Sequence, residues 1–464
     1  MGYDISHYED VYRPYGTIQD METLIAETHA RGMYIMLDLV INHTFDQHAW
    51  FKESRSSKDN PKRDWYIWRP AKYSPTGKRL PPKNWRCCFG GGSAWEWDEH
   101  TEEYYLHVWA TEQPDLNWDT LETRKAIYAS AMDKPPDMPD APITDPKAPY
   151  QPALSLYCNG PRIFEFLGEM NAVLSRYSAI TVGELPYTHD TNLVLGYLSA
   201  GAKKLDMVFQ FDAIEVGFGV THKYETTTKN FTLPDFKAAV GATQKLIRDT
   251  DAWITVFLEN HDEPRSVTQF TDDCPDFRVS SAKLLALMEA CSSGTQYIYQ
   301  GQEIGLVNAP KEIYSIENYL DISSCLFIKM VKERHGADNK EEFDKAFNAL
   351  QHLARDHTRL PMPWNAKAKY GGFSEAAEMK GHEVKEPWMK PHHLVDETNI
   401  SSQLHDPESV LAFWRKMIRF RQEHSDLLVY GDYRDLRLLA KDLFVFIKPG
   451  PVNFLFRLVL PFLV

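Results

Sequence analysis

Apolar and polar positions along the chain follow one order, an amphipathic helix and then a short apolar run. Thr17 can cap such a helix and Gly32 can end it. Its apolar positions recur at helical spacing: Ile18, Met21, Leu24 and Ile25. The run that follows, MYIMLDLV at 33–40, is almost wholly apolar, which is typical of a parallel strand buried on both faces. The pattern predicts a helix that leads into a buried strand.

The same order recurs further along the chain. A second apolar helical face, spanning 163–174, precedes the run AITVGE at 179–184. Three more apolar runs follow, separated by helical stretches: KLDMVFQF at 204–211, WITVFLEN at 253–260 and TQYIYQGQE at 295–303. Alternating helices and buried strands predict an α/β fold with a parallel sheet, either doubly wound or closed into a barrel.

Polar residues stand where the apolar strands end. The ends of four successive strands carry Asp38 with Asn42 and His43, then Glu184, then Asp212, then the run Glu259, Asn260, His261 and Asp262. A solvated strand end explains any one of them, but four repeats of the pattern indicate a site. Because the carboxyl ends of barrel strands meet at one face, the pattern favours a TIM-type barrel.

The candidate chemistry is that of carboxylates and imidazoles. The chain has no Gly-rich phosphate loop, no His-Glu-x-x-His and no Gly-x-Ser-x-Gly motif. Paired carboxylates that flank a bond are the apparatus of glycoside hydrolysis, in which one protonates the leaving oxygen and the other attacks the sugar or activates water. The pattern therefore indicates a glycosidase that needs no cofactor and no metal.

Composition and length limit the possible binding partners, the cellular compartment and the number of domains. The net charge of −14 argues against nucleic acid and anionic membranes. No apolar run reaches the ~18 residues of a membrane span. The six Cys lack metal-ligand spacing and are expected to be free, buried thiols in a reducing compartment, so we expect a cytoplasmic protein. The length of 464 residues suggests two to four domains.

Five segments resemble, in order, the motifs of glycoside hydrolase family 13, the α-amylase family: GYDISHY, DLVINHT, QPDLNW, TVGELP and FLENHDEPR. RLPMPW at 359–364 and PDAPITDPKAPYQP at 139–152 are similar to its α-glucosidases, maltases and oligo-1,6-glucosidases, the latter segment especially to fungal members. The resemblance implies a TIM-type (β/α)8 barrel at 1–43 and 106–425. It also implies an inserted domain at 44–105 and a truncated β-rich C-terminal domain at 426–464. We expect the insertion to roof the pocket.

The resemblance also implies a role for each matching residue. Glu184 resembles the general acid/base, and its position at the end of an apolar strand predicts a poorly solvated carboxyl with a raised pKa. Asp262 resembles the transition-state stabiliser. The residues expected to bind the non-reducing glucose are Asp4, His43, His261 and Arg359. The implied activity is release of glucose from the non-reducing end of maltose-like or isomaltose-like oligosaccharides by a retaining mechanism.

One implied element has no counterpart in the sequence. The family carries its nucleophile Asp in a Gly-Phe-Arg-x-Asp strand between QPDLNW and TVGE. Here a helix that Asp119 and Glu122 can cap is expected to run to about Met132, and KPPDMP at 134–139 follows, with three Pro that exclude a central strand. Three nearby carboxylates are expected to be turn residues rather than a replacement nucleophile: Asp133, Asp137 and Asp140.

We therefore expect a barrel that lacks strands 1, 2 and 4, without the family calcium loop, and an inactive product of an incompletely assembled or mis-spliced gene. Three alternatives stay open: a working α-glucosidase with an unrecognised nucleophile, a non-catalytic binding subunit like the family-related accessory chain of amino-acid transporters, and a sucrose- or trehalose-acting relative. The preference for α-1,4 or α-1,6 bonds and the oligomeric state are not readable from the sequence.

Overall fold

The computed structural model describes residues 2–89, 91–127, 138–219, 223–224, 231–374, 384–449 and 454–459, the last by its backbone alone. The chain divides into two units, Met1–Ala179 and Ile180–Val464. The segment 128–137, which holds Asp133 and Asp137 and the end of the predicted helix after Asp119, lies outside the described residues.

The first predicted helix is confirmed as α1, Ile18–His29. The Asp20 N–H donates to Thr17 Oγ1 at 3.2 Å and the Thr17 N–H donates to Asp20 Oδ2 at 2.8 Å, so the two form a capping box. Gly32, with φ of +71°, turns the chain after the helix. None of the residues of α1 is buried, although its apolar positions share one face.

The prediction of a buried strand at 33–40 is wrong. No residue of this run belongs to a strand, and none is fully buried. Tyr34 is 86% exposed and Leu37 is 65% exposed. An apolar run is buried only if neighbouring strands or helices cover it, and local sequence does not supply those neighbours.

The rest of the first unit is built around small antiparallel sheets. Its helices are α2 (Ala49–Ser56), α3 (Leu121–Ile127), α4 (Leu154–Tyr157) and α5 (Ile163–Leu174). Its strands are β1 (Trp68–Arg69), β2 (Lys72–Tyr73), β3 (Arg79–Leu80), β4 (Trp95–Asp98) and β5 (Glu103–Leu106). The order β1-β5-β4 forms one sheet and β2-β3 a hairpin. Trp85, Trp95 and Leu106 share a hydrophobic cluster with Ala153 and Tyr157. The domain boundaries and the roof over a pocket stay predictions.

The second unit contains the parallel strands. These are β6 (Val182–Leu185), β7 (Met207–Gln210), β8 (Thr255–Val256) and β9 (Thr295–Gln296). β6 pairs with β7 and β8 pairs with β9, both in parallel. The Thr255 hydroxyl donates to Val208 O at 2.9 Å and joins β7 to β8. These strands confirm four of the five predicted apolar runs, in shorter form. Among the described strands, parallel pairing is limited to these two pairs, and Trp85 and Gln151 of the first unit form an isolated parallel bridge.

Helices surround these strands and a small sheet follows them. The helices are α6 (Thr191–Leu198), α7 (Leu233–Lys245), α8 (Ser266–Phe270), α9 (Arg278–Ala290), α10 (Ile322–His335), α11 (Lys340–Leu353), α12 (Ile400–Gln403), α13 (Val410–Glu423) and α14 (Ser425–Leu428). Near the C-terminal end, β11 (Leu443–Lys448) pairs antiparallel with β10 (Arg434–Asp435) and β12 (Phe454–Val459). None of the helices in the described ranges has both the length and the apolar character needed to cross a membrane.

The six cysteines are unpaired. Cys87 and Cys291 are buried, as expected for structural thiols, whereas Cys325 is exposed. Burial raises the pKa of the Cys291 thiol to about 12, so this thiol stays protonated at neutral pH.

Candidate active site

The loop between β8 and α8 is held by a buried ion pair. Arg265 Nη1 donates to Glu259 Oε2 at 2.8 Å, and the Ser266 N–H donates to Glu259 Oε1 at 2.9 Å. Glu259 and Arg265 are both buried. Glu259 therefore stabilises the loop through its bonds to Arg265 and Ser266. The strand-end pattern suggested that Glu259 could contact a ligand, but its buried carboxylate is not accessible to one.

Asp262, in the same loop, accepts from two guanidinium groups. Arg355 Nη1 lies 2.8 Å and Arg359 Nη2 lies 2.6 Å from Asp262 Oδ1. His261 Nε2 lies 3.6 Å from the other carboxylate oxygen. The Asp262 carboxylate is 31% exposed, so it is both held by charge and open to a ligand.

A second carboxylate, Asp321, closes this arrangement. Asp321 Oδ1 lies 2.7 Å from Arg355 Nε, and Asp321 Oδ2 accepts from Arg359 Nη1 at 2.8 Å. Asp321 also caps α10, because its side chain accepts from the Ser323 N–H at 2.9 Å. Two carboxylates and two guanidinium groups thus form a four-membered charge network, fixed to the start of a helix. Arg355 and Arg359 are four residues apart, in a single 3-10 helix.

The charges of this network determine the ionisation of Asp262. Burial alone would raise its pKa, but the positive charges of Arg355, His261, Arg359 and Lys223 outweigh burial and lower the pKa below its usual value. Asp262 is therefore a carboxylate under all physiological conditions. It offers a fixed negative charge rather than a proton.

Lys223 is hydrogen-bonded to this loop at two points. Its Nζ donates to Asp262 O at 2.7 Å and to Glu263 Oε2 at 2.5 Å. Burial raises the pKa of Glu263 to about 7 and that of Glu215 to about 8. Repulsion by the negative charge of Asp262 adds to the raised pKa of Glu263, and repulsion by Glu263 adds to that of Glu215. Burial with a structural partner explains these raised values without a catalytic role.

Glu184 lies in β6, opposite Phe209 of β7. Its side chain is exposed, so the expectation of a poorly solvated carboxyl is wrong for this structure. Asp212, just beyond β7, accepts from His189 Nδ1. Because β6, β7 and β8 are neighbours, the three carboxylates lie near the carboxyl ends of adjacent parallel strands: Glu184 as the penultimate residue of β6, Asp212 after β7 and Asp262 after β8.

Asp4 and His43 belong to the first unit. Asp4 Oδ1 accepts from Gln113 Nε2 at 2.8 Å, and His43 Nε2 lies 3.0 Å from Tyr3 O. His43 and Asp115 form an antiparallel bridge. The segments GYDISHY, DLVINHT and QPDLNW, which are far apart in sequence, are therefore hydrogen-bonded to one another.

The structure thus brings Asp262, His261 and Arg359 together in one unit and Asp4 and His43 in the other. Sequence reasoning missed Arg355 and Asp321. The only sequence signal for Arg355 is that it is a second arginine four residues before Arg359. Asp140 accepts from the Asn84 N–H at 3.1 Å, the contact of a loop residue.

The chain matches the model of the alpha amylase catalytic domain over residues 1–431. It is 44% identical to an alpha-glucosidase of Candida albicans, with 97% of this chain and 80% of that protein covered. It is 42% identical to the oligo-1,6-glucosidase IMA5 of Saccharomyces cerevisiae, covering 97% and 79%.

Solved structures are similar as well. The isomaltulose synthase of Erwinia rhapontici has a TM-score of 0.85 at 32% identity, covering 98% of this chain and 79% of that one. The trehalulose synthase MutB has a TM-score of 0.85 at 34% identity, covering 98% and 80%.

Proposed function

The chain belongs to the alpha amylase catalytic-domain family of glycosidases, which has a TIM-barrel fold, and on that premise we propose that its Asp262 site recognises the terminal glucose of α-glucosides. Glycosidases of this chemistry pass through a transition state in which positive charge develops on the sugar ring. We propose that Asp262 stabilises this positive charge and that Glu184 donates the proton to the leaving oxygen.

The observation that carries the proposal is the ionisation and fixation of Asp262. Two guanidinium groups hold one oxygen of its carboxylate, and their charge keeps it ionised. A fixed anion that is already oriented stabilises a developing cation without reorganisation during the reaction. Asp321 contributes indirectly, because it positions both arginines.

Glu184 is the proposed general acid/base. It lies near the carboxyl end of parallel strand β6 and is exposed to solvent, so a glycosidic oxygen can reach its carboxyl. It would donate a proton to the leaving oxygen and later accept one from water. The resemblance of TVGELP to the family motif supports this role, together with the position of Glu184 beside the strand that leads to Asp212.

We further propose that this chain turns α-glucosides over slowly, since retaining hydrolysis also needs a nucleophilic carboxylate. Within the described residues, β6 pairs only with β7, and no strand lies along its other edge. The nearest described carboxylate after the helix at 121–127 is Asp140, which is bonded to the Asn84 N–H. For the described residues, which leave out 128–137, these observations support the proposal that the nucleophile strand is missing.

A second candidate function, action on sucrose, is favoured by the solved relatives. The isomaltulose synthase of Erwinia rhapontici is described with sucrose as its natural substrate. Sucrose also carries a terminal α-linked glucose, so the same pocket chemistry would bind it.

Calorimetric titration of the full chain tests the proposal, with maltose, sucrose and the β-linked disaccharide cellobiose as probes. We expect maltose to bind measurably more tightly than cellobiose, and His261→Ala to weaken binding at this site at least about tenfold because a desolvated hydrogen bond to the sugar is lost. His335→Ala, at the exposed end of α10, is the matched control. Equal binding of maltose and cellobiose, or no effect of His261→Ala, would refute the proposed site. Tighter binding of sucrose than of maltose would favour the second candidate.

A further inference from the structure

A cavity of about 530 Å³ opens at the amino ends of the parallel strands, on the face opposite Asp262. Residues at or just before all four strands line it: Ile180, Asp206, Met207, Trp253, Thr295 and Gln296. Residues from α13 and the chain just after α14 complete it. Its volume falls within the range of sites that hold small molecules, and it belongs wholly to the second unit.

One side of this cavity is an aromatic platform. The rings of Trp253 and Tyr430 lie 5.3 Å apart between centroids, at an interplanar angle of 38°. Trp253 Nε1 donates to Thr295 Oγ1 at 2.8 Å, which fixes the indole. Tyr430 is 70% exposed, so the platform presents an open ring face to a ligand.

Polar groups accompany the platform. Gln296 Nε2 is buried and has no hydrogen-bond partner within the described part of the chain, which is costly for an amide donor. Asp206 is exposed, and its Oδ2 accepts from the N–H and hydroxyl of Thr181, at 2.7 and 2.8 Å. A carboxylate can accept further bonds beyond these two.

The charges exclude anionic ligands. Arg421 is the lining cation, but its guanidinium already donates to the carbonyls of Ala290, Ser292 and Gly294. The exposed carboxylate of Asp206 repels phosphate and carboxylate groups. A neutral ligand with one apolar face and several hydroxyls fits this lining, because its face can stack on the Tyr430 ring while its hydroxyls pair with Gln296 Nε2 and the Asp206 carboxylate.

We infer that this cavity is a second saccharide site, in which a hexose ring stacks on Tyr430 and its hydroxyls pair with Gln296 and Asp206. The site is separate from the Asp262 cluster, because one lies at the amino ends and the other at the carboxyl ends of the same strands. The inference does not depend on the activity of the Asp262 site.

Calorimetry and saturation-transfer NMR with maltose test the inference, using the full chain that carries His261→Ala, so that the Asp262 site is weakened. We expect this chain to retain a maltose site, and Tyr430→Ala to weaken that site about fivefold through loss of stacking. Gln296→Ala, at a partly buried position, is expected to weaken it as well. Tyr73→Ala removes a similarly exposed ring of the first unit and serves as the control.

Two results would overturn the inference. One is a His261→Ala chain without any saturable maltose binding. The other is maltose binding that neither Tyr430→Ala nor Gln296→Ala weakens, with far-UV circular dichroism showing both variants folded. If instead His261→Ala leaves all binding unchanged while Tyr430→Ala abolishes it, the second site holds and the proposed function fails.

Discussion

Asp262 shows how a single oxygen atom can organise a site. Its Oδ1 lies within 2.8 Å of both Arg355 Nη1 and Arg359 Nη2, and Asp321 holds the same two arginines from their other side. Such charge-assisted bonds are short and directional, so each member of the network restricts the others. The consequence for Asp262 is a lowered pKa and a fixed orientation.

The lowered pKa makes a prediction about stability. Because the folded state binds the proton of Asp262 less tightly than the unfolded state, its stabilisation is present above the unfolded value of about 3.9 and is lost as the pH falls through the native value. We expect Asp262→Asn to lower the free energy of unfolding by about 1–3 kcal/mol at pH 7, and by less as the pH falls below about 4.

Urea unfolding of parent and variant across this pH range measures the difference. Asp338→Asn, at an exposed position, is the control and should change little at any pH. A deficit for Asp262→Asn that is the same at pH 7 and at pH 3.5 would contradict the account.

At the scale of elements, the loop after β8 is stabilised by buried contacts, whereas the apolar run at 33–40 is exposed. The loop after β8 is fixed by the buried pair of Glu259 and Arg265 and then presents Asp262. The run at 33–40 has the apolar composition of a strand but lies exposed, and α1 before it has no buried residue.

The buried pair predicts a large effect of a small change. Glu259→Gln removes the charge that compensates Arg265 and leaves a buried cation without its partner, so we expect a loss of about 3–5 kcal/mol in the free energy of unfolding. Glu333→Gln breaks an exposed pair with Lys329 and should cost less than about 0.5 kcal/mol. Chemical denaturation of the two variants gives the comparison, and similar losses for both would disprove the structural role of Glu259.

The exposed run predicts the opposite behaviour. Leu37 is 65% exposed, so Leu37→Lys is expected to change the free energy of unfolding by no more than about 0.5 kcal/mol and to reduce self-association. Ile41, four residues later, is buried, and Ile41→Lys should destabilise by more than about 3 kcal/mol because a charge would be buried unpaired. Denaturation and analytical ultracentrifugation report both effects. Equal destabilisation by the two lysines would show that the run at 33–40 is covered in solution.

At the scale of the whole molecule, the parallel strands are too few within the described residues to close on themselves. The parallel strands of the second unit form two pairs, β6 with β7 and β8 with β9, and Glu184, Asp212 and Asp262 lie at or beyond the ends of three of these strands. β6 pairs with β7 along one edge. A further strand along its other edge would pair with the backbone N–H and C=O groups there.

Activity is the prediction at this scale. On the proposal that this chain lacks the nucleophilic carboxylate that forms the glycosyl intermediate, we expect hydrolysis of a chromogenic α-glucoside on the order of 10⁶ slower than by the Candida albicans alpha-glucosidase assayed beside it. Glu184→Gln is the control, because a residual rate that arises at this site should fall when the proposed general acid/base is removed. Turnover within about tenfold of that relative, abolished by Glu184→Gln, would show that another residue of this chain serves as nucleophile.

The sequence by itself determined the elements whose signals are local. The Thr17 cap and strands β6 and β7 were readable from spacing. Asp262 and His261 were identified by the resemblance of their motif, and their roles stay predictions. Cap geometry and period-based patterns depend on residues a few positions apart, so they survive in almost any fold.

Tertiary structure alone decided burial and partnership. Whether 33–40 was covered, whether Glu184 was solvated and whether Glu259 faced a ligand or Arg265 depended on groups distant in sequence. The contact of Asp321 with Arg355 and Arg359 spans more than thirty residues of chain, and no periodicity encodes it. Desolvation and ion pairing depend on the packed environment of a side chain. For that reason Glu184, Glu259 and Asp262, all carboxylates near strand ends, could not be told apart in the sequence but differ in burial and partners in the fold.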